Sequence, residues 1–290
     1  MMLTMHPVSF FWWFMRYATA LLTRQWLFCG ICFLASCLIS YMTGCAPTSP
    51  LQGLPHDTTT ARTVERTVLL EEFSNVDCAP CARQRAAFQQ YVARDSAQVI
   101  VLQFHTPWPA RQDPFFLSNP VVQQWRIGVY GVEQTGIPIV FVSGGRAPTH
   151  TLYSGAPADT AALSAEVRRL RAQKSSVSLR VRLSGGMVVV TAASQTALTD
   201  ATLYIAVIER VVRFPSPVGS NGEREFFRVV RDVLPSTRGI PLRLEAQQQA
   251  TFSQFVTFAP AWNQQQISVV AFVQDNTSNE VLQAATPISR

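Results

Sequence analysis

The 290-residue sequence predicts an α/β unit followed by an all-β sandwich. Three observations predict it. A strand, helix and strand succeed one another over residues 67–104, the order of a parallel pair joined by a crossover. A Cys-x-x-Cys pair, Cys78-Ala79-Pro80-Cys81, stands where the first strand gives way to the helix. From residue 175 onward the texture changes to short alternating segments separated by turn residues. The expected organisation is an export segment over 1–44, a tether over 45–65, the α/β unit over 66–174 and the sandwich over 175–290.

The first 44 residues hold no Asp or Glu, and their only fixed charges are Arg16 and Arg24, ahead of the apolar run 26–39. Charge followed by an apolar run is the order of a secretory signal, and Met15 offers a second start. The run closes on Met42-Thr43-Gly44-Cys45, which resembles the lipobox of bacterial lipoproteins. That resemblance implies acylation of Cys45, which becomes the mature N-terminus and ties the chain to membrane lipid; Met42 departs from the usual Leu. The alternative is an uncleaved anchor, since about 15 to 20 apolar residues nearly span a bilayer. Either one holds the folded part in a bacterial cell envelope, periplasmic or at the outer membrane. Residues 46–65, rich in Thr and Pro without hydrophobic period, read as a flexible tether. The formal charge of +6 loses two with the export segment, and the remaining arginines are scattered among acids. That pattern gives no nucleic-acid surface.

Within the α/β unit, residues 67–73 form a buried strand, and 78–94 a helix with Phe88, Tyr91 and Val92 on one face. Residues 99–104 form a second strand. The Pro- and aromatic-rich stretch 106–116 and a helix over 119–130, carrying Val122, Trp125 and Ile127, read as an insertion beside the site. Residues 139–142 and 149–153 then make a hairpin, and a helix over 157–174 closes the unit with Leu163, Val167 and Leu170 inward. Beyond it, seven alternating strands are expected at 177–183, 187–193, 201–209, 225–234, 250–258, 267–274 and 280–284, an antiparallel sandwich of immunoglobulin-like architecture.

Of six cysteines, Cys29, Cys32 and Cys37 lie in the export segment and Cys45 is the lipid acceptor, which leaves Cys78 and Cys81 for the folded region. A helix N-terminus offers unpaired N–H groups and partial positive charge, which stabilise a thiolate at Cys78. Two intervening residues place Cys81 to resolve a mixed disulfide, and Pro80 is tolerated in a first turn. A structural disulfide and a metal site are the competing uses of this spacing. A structural zinc needs four ligands, whereas no second cysteine pair exists and His56, His105 and His150 show no ligand spacing. No metal or other cofactor is expected. Pro138 enters the strand 139–142, poor strand chemistry unless it makes a special turn, most usefully in cis form. Glu72 is an acid in an otherwise apolar strand, with a solvated strand end as the simpler account.

The stretches Leu70-Glu71-Glu72-Phe73-Ser74-Asn75-Val76-Asp77-Cys78-Ala79-Pro80-Cys81 and Thr135-Gly136-Ile137-Pro138-Ile139-Val140-Phe141-Val142 resemble thioredoxin. The resemblance implies that Cys78 is an exposed nucleophile, Cys81 the buried resolving thiol, Pro138 a cis-proline docking substrate, and Glu72 the buried acid that carries the resolving cysteine's proton. Glu72, Ala79-Pro80 and Asp77 depart from the thioredoxin residues, so a redox potential does not carry over. With its lipid signal and trailing sandwich, the whole chain resembles the twenty-eight-kilodalton outer membrane protein family of bacterial lipoproteins.

His105 and Trp108 follow a strand whose end lies on the cysteine edge, where ligands of open α/β sheets bind. With Ile137 they are the expected substrate-binding residues; an imidazolium at His105 would acidify the thiol, and Trp108 would form an apolar lip. The expected function is a membrane-tethered oxidoreductase exchanging disulfides with exported protein thiols or disulfides, a reducing role needing a membrane redox partner. The rival is a binding or assembly lipoprotein in which the sandwich recognises partners through the long loop 214–222.

Overall fold

The strand β1 (Val68–Ser74) is buried along its whole length, its acids Glu71 and Glu72 included, because both of its faces are covered. The computed structural model describes residues 62–94, 97, 99–144 and 160–287; the export segment, Cys45, most of the tether, the strand at 149–153 and the start of the helix at Pro157 lie outside them. β1 pairs in parallel with β2 (Val99–His105) and antiparallel with β3 (Ile139–Val142), with the 16-residue helix α1 (Ala79–Arg94) as the crossover from β1 to β2. Between β2 and β3 come α2 (Pro114–Ser118), α3 (Pro120–Tyr130) and α4 (Val132–Thr135). Asp113 and Asn119 cap α2 and α3 through their side chains, each ahead of a proline in the first turn, where a missing N–H costs nothing. The helix α5 (Thr160–Ala172) follows.

The rest of the chain is β4 (Val177–Ser184), β5 (Met187–Ser194), β6 (Leu198–Arg213), β7 (Glu225–Leu234), β8 (Ile240–Leu244), β9 (Gln249–Phe255), β10 (Ile267–Asp275) and β11 (Val281–Ala285). The sequence pattern shows these strands except β8, which Pro241 hides; the proline is tolerated because β8 pairs only with β6. β4, β5 and β9 form a small antiparallel sheet. The large sheet runs β11-β10-β6-β7-β2-β1-β3, straight across the boundary expected at residue 174. Its two ends meet: Gly144 bridges Glu280, and the Val281 N–H donates to the Ser143 carbonyl at 2.8 Å. The sheet therefore curls back on itself.

Alternation decides what each face covers. Leu69 and Phe73 of β1, Ala206 and Ile208 of β6, and Val270 and Phe272 of β10 share one apolar cluster with Val122 and Ile127 of α3. On the other face, Val68 and Leu70 pack with α1 and α5, while Leu203, Ile205 and Val207 of β6 pack with Val181, Val188 and Val190 of the small sheet. The stretch expected to be an insertion beside the site is thus part of the core. The tether also ends earlier than residue 65, since Val64 exchanges two backbone hydrogen bonds with Ser175, and buried Arg66 donates to the Val281 carbonyl at 2.6 Å and to Glu280 at 2.7 Å.

Two side chains of α3 hold the sheet together. Arg126, fully buried, donates to both carboxylate oxygens of Glu71 at 2.6 and 2.8 Å and to Gln274 of β10 at 2.9 Å, and Tyr130 donates to the same carboxylate. Burial opposes the guanidinium charge, and the facing Glu71 carboxylate more than restores it, so Arg126 stays protonated. Gln123 is the second. β2 and β7 pair at one position, Gln103 with Val229, and there the ladder ends. The Gln123 amide continues it, its oxygen accepting from the His105 N–H at 2.8 Å and its nitrogen donating to the Val230 carbonyl at 3.0 Å.

Gln123→Leu keeps the volume but leaves a buried N–H and a buried carbonyl unpaired. The expected loss is about 2–4 kcal/mol of stability in urea unfolding. A loss below about 0.5 kcal/mol would show that the splice carries no weight.

Candidate active site

The segment that carries the cysteines is built by its polar residues. Asn75 is fully buried and donates to the carbonyls of Thr106 and Ala110 at 2.7 and 3.0 Å, while its side-chain oxygen accepts from the Asp77 N–H at 2.8 Å, an Asx turn that redirects the chain out of β1. The Val76 N–H donates to Asp113 at 2.9 Å. Asp113 also accepts from the backbone N–H groups of Phe115 and Phe116 and sits 2.8 Å from His105 Nδ1. One carboxylate thus ties the cysteine turn, β2 and α2 to a single point. Burial alone would raise the Asp113 pKa, but His105 and the N–H groups of Phe116 and Val76 outweigh it and hold the carboxyl below its ordinary value.

Cys78 and Cys81 are joined in a disulfide, with Cα atoms 5.2 Å apart. The Cys78 carbonyl accepts from Ala82 N–H as α1 begins, and Cys78 Sγ accepts from the Cys81 N–H at 3.1 Å. The sulfur therefore occupies the N-cap position, where an orphan helix N–H is aimed at it. Cys81 is 1 % exposed. Arg85 lies one turn further along α1 on the same face. It donates to both oxygens of Glu72 at 3.1 Å, to Ser74 at 3.2 Å and to Glu223 at 2.7 Å. One guanidinium thus serves two buried carboxylates. Arg85 stays charged, and burial pushes the Glu72 pKa up, with Arg85 countering and Glu223 adding to the rise. Glu72 is consequently a buried, paired acid and not a solvated strand end.

Pro138 heads β3, whose Ile139 pairs with Phe73 near the end of β1, so it lies at the sheet edge from which the cysteine turn leaves. The Ile137–Pro138 bond is cis. Ile137 and Trp108 are half-buried against the same apolar cluster, Trp108 ahead of a second cis bond to Pro109. His105 departs from expectation. It is the last residue of β2, fully buried, bonded to Asp113 and packed against Phe115 and Phe226 at ring distances of 4.5 and 5.9 Å. Asp113 meets its Nδ1, while its buried Nε2 has no hydrogen-bond partner among the described residues, so the ring is held in the core and not on a substrate-facing surface.

Cys78 is 3 % exposed, contrary to the exposed nucleophile implied by the thioredoxin resemblance. The loop between β6 and β7, residues 214–224, fastens to the turn that leads into it. Its Asn221 N–H donates to the Val76 carbonyl at 3.2 Å, its Ser220 N–H to the Asp77 carboxylate at 2.6 Å, and the Asn221 side chain to the Asn75 carbonyl at 3.3 Å. Val218 and Phe214 pack on the cluster of Val76, Phe115, Phe226 and Val229. The loop expected to present the sandwich to partners is turned inward onto the cysteine turn. Sequence reasoning passes over Asn75, Arg85, Asp113 and Glu223. The Asp-Pro step before α2 is a legible cap signal for Asp113, whereas Arg85 and Glu223 are 138 positions apart and meet only through the fold.

Asp113→Asn removes the charge facing His105, with an expected cost of about 1–3 kcal/mol at pH 7. Because the folded pKa is depressed, the contribution of Asp113 is whole above the ordinary aspartate pKa of about 3.9 and drains as the pH falls below it toward the folded value. Urea unfolding at pH 7 and pH 3 should show a smaller acid loss in the variant; equal losses would refute the assignment.

No family model matches the chain, and no curated protein matches it. Among solved structures, HBP35 of Porphyromonas gingivalis is similar at 16% identity and TM-score 0.60, over 77% of this chain and 75% of that one. A protein of Agrobacterium tumefaciens solved by structural genomics is similar at 14% identity and TM-score 0.51, over 79% and 96%. A domain of the outer membrane lipoprotein Omp28 from Porphyromonas gingivalis overlaps 39% of this chain and 87% of its own, at 14% identity and TM-score 0.27, too slight to support an argument. At such identities the likeness to the first two speaks to the fold alone.

Proposed function

We propose that the chain is a thiol-disulfide oxidoreductase of thioredoxin type, its α/β unit extended by an immunoglobulin-like sandwich and tethered in a bacterial cell envelope through a lipid on Cys45. The observation that carries the reading is the Cys78–Cys81 disulfide at the start of α1, with the Cys81 N–H aimed at Cys78 Sγ. A donor so placed stabilises a thiolate on Cys78 and makes it the better leaving group. The parallel β1–β2 pair and the antiparallel β3 with Pro138 at its head support the thioredoxin-type reading. The lipobox-like Met42-Thr43-Gly44-Cys45 supports the tether, and with it the resemblance to the twenty-eight-kilodalton lipoproteins.

In the oxidising direction a substrate thiolate attacks Cys78 Sγ. A new S–S bond forms as the Cys78–Cys81 bond breaks, and Cys81 leaves as thiolate. A second substrate thiolate then attacks the substrate sulfur of the mixed disulfide and expels Cys78. The substrate loses two electrons, the protein gains them, and the two departing thiolates take up the two protons the substrate thiols release. Arg85, one turn from Cys81 on the same helix face, steadies the Cys81 thiolate by charge, and Glu72, its pKa raised by burial, is the acid that returns its proton. The reverse sequence reduces a substrate and needs a membrane partner to resupply electrons.

Cys81→Ser should accumulate mixed disulfides between Cys78 and envelope proteins, visible as high-mass bands that collapse on reduction and vanish when Cys78→Ala is added. If no adduct forms in cells that express the variant, the exchange reading fails.

A further inference from the structure

We propose that residues 218–223 of the β6–β7 loop form a built-in lid that seals the Cys78–Cys81 disulfide and must swing away before a thiol can attack it. The inference rests on the redox reading above. Attack on a disulfide needs access to the sulfur along the S–S axis, and a Cys78 that is 3 % exposed beside a fully shielded Cys81 offers none. The loop fastens to all three residues that lead into Cys78: the Asn75 carbonyl, the Val76 carbonyl and the Asp77 carboxylate each accept a hydrogen bond from Ser220 or Asn221.

Two residues make the seal specific. Gly219 sits so close to Val76 that a Cβ there would collide with the Val76 carbonyl, so only the absence of a side chain lets the loop lie flat. Glu223 latches the end of the lid onto α1 through its 2.7 Å ion pair with Arg85, with both side chains 9 % exposed. The same guanidinium holds Glu72, so closing the lid delivers a second carboxylate to the group one helical turn past Cys81.

The lid is also weakly built. Within it Ser220 and Gly222 are exposed, and its apolar hold on the rest of the fold is through Val218. Segments held by a handful of polar contacts open locally far more readily than the global fold, and the rate of a reaction in the open form tracks the open population.

The test compares full-length wild type with Gly219→Val and Glu223→Gln. Reduction by dithiothreitol is followed by maleimide capture of the freed thiols. Prying the loop off Val76, or loosening its latch, should speed reduction by about tenfold or more. Rates equal to wild type in either folded variant overturn the lid. If neither variant folds, hydrogen exchange of the Ser220 and Asn221 amides in wild type decides: protection supports the lid, exchange at the rate of a free loop overturns it. Reduced, unfolded ribonuclease A separates the two proposals. Variants reduced faster by dithiothreitol that, like wild type, never oxidise ribonuclease would uphold the lid and sink the redox reading. A wild type that oxidises ribonuclease as fast as the variants would do the reverse.

Discussion

The structure depends on the join between β2 and β7. The strands pair at one position, Gln103 with Val229, and the ladder goes no further. Backbone groups left open at such a point, inside a buried sheet, would each cost as much as a lost hydrogen bond. The Gln123 amide, brought in by α3, supplies the next acceptor and donor in the gap. With that splice in place, strands from both ends of the chain form one sheet, and the β6–β7 connection arrives over the cysteine turn.

This join explains why polar side chains are so prominent in the interior. Arg126 with Glu71 on one face of β1, and Arg85 with Glu72 and Glu223 on the other, are buried charges taken from successive positions of one strand. Replacing such a pair by apolar residues is often harmless, while removing one partner is severe, so these networks speak for register and specificity more than for raw stability. Each ties an N-terminal element to a C-terminal one: Arg126 reaches Gln274 of β10, and Arg85 reaches Glu223 of the lid.

Much of the fold was legible in the residues. The largely apolar run of β1, the spacing of Phe88, Tyr91 and Val92, and the alternation after residue 175 marked the elements and most of their limits, because period is a local property of a chain. The pairing of the two parts was not, since Gln103 and Val229 carry no mark of meeting. At the site, Cys78, Cys81, Glu72 and Pro138 stood out by type and spacing. The burial of Cys78 and His105 did not, because what covers a residue is decided by segments far away in sequence. For His105 the nearby Asp113-Pro114 step held the clue: a carboxylate that caps a helix can also hold one nitrogen of an imidazole.

The interlocking of first and last segments has a consequence for how the chain is made. Arg66 and Val64 are gripped by residues of the final strand and of the turn before β4, and Ser143 at the end of β3 accepts from Val281. A polypeptide emerging from its N-terminus therefore pairs β1 with β2 and β3 early, while Val64, Arg66 and Ser143 wait for partners that follow much later. The turn that carries the cysteines stays unroofed until the β6–β7 loop, residues 214–224, has been made.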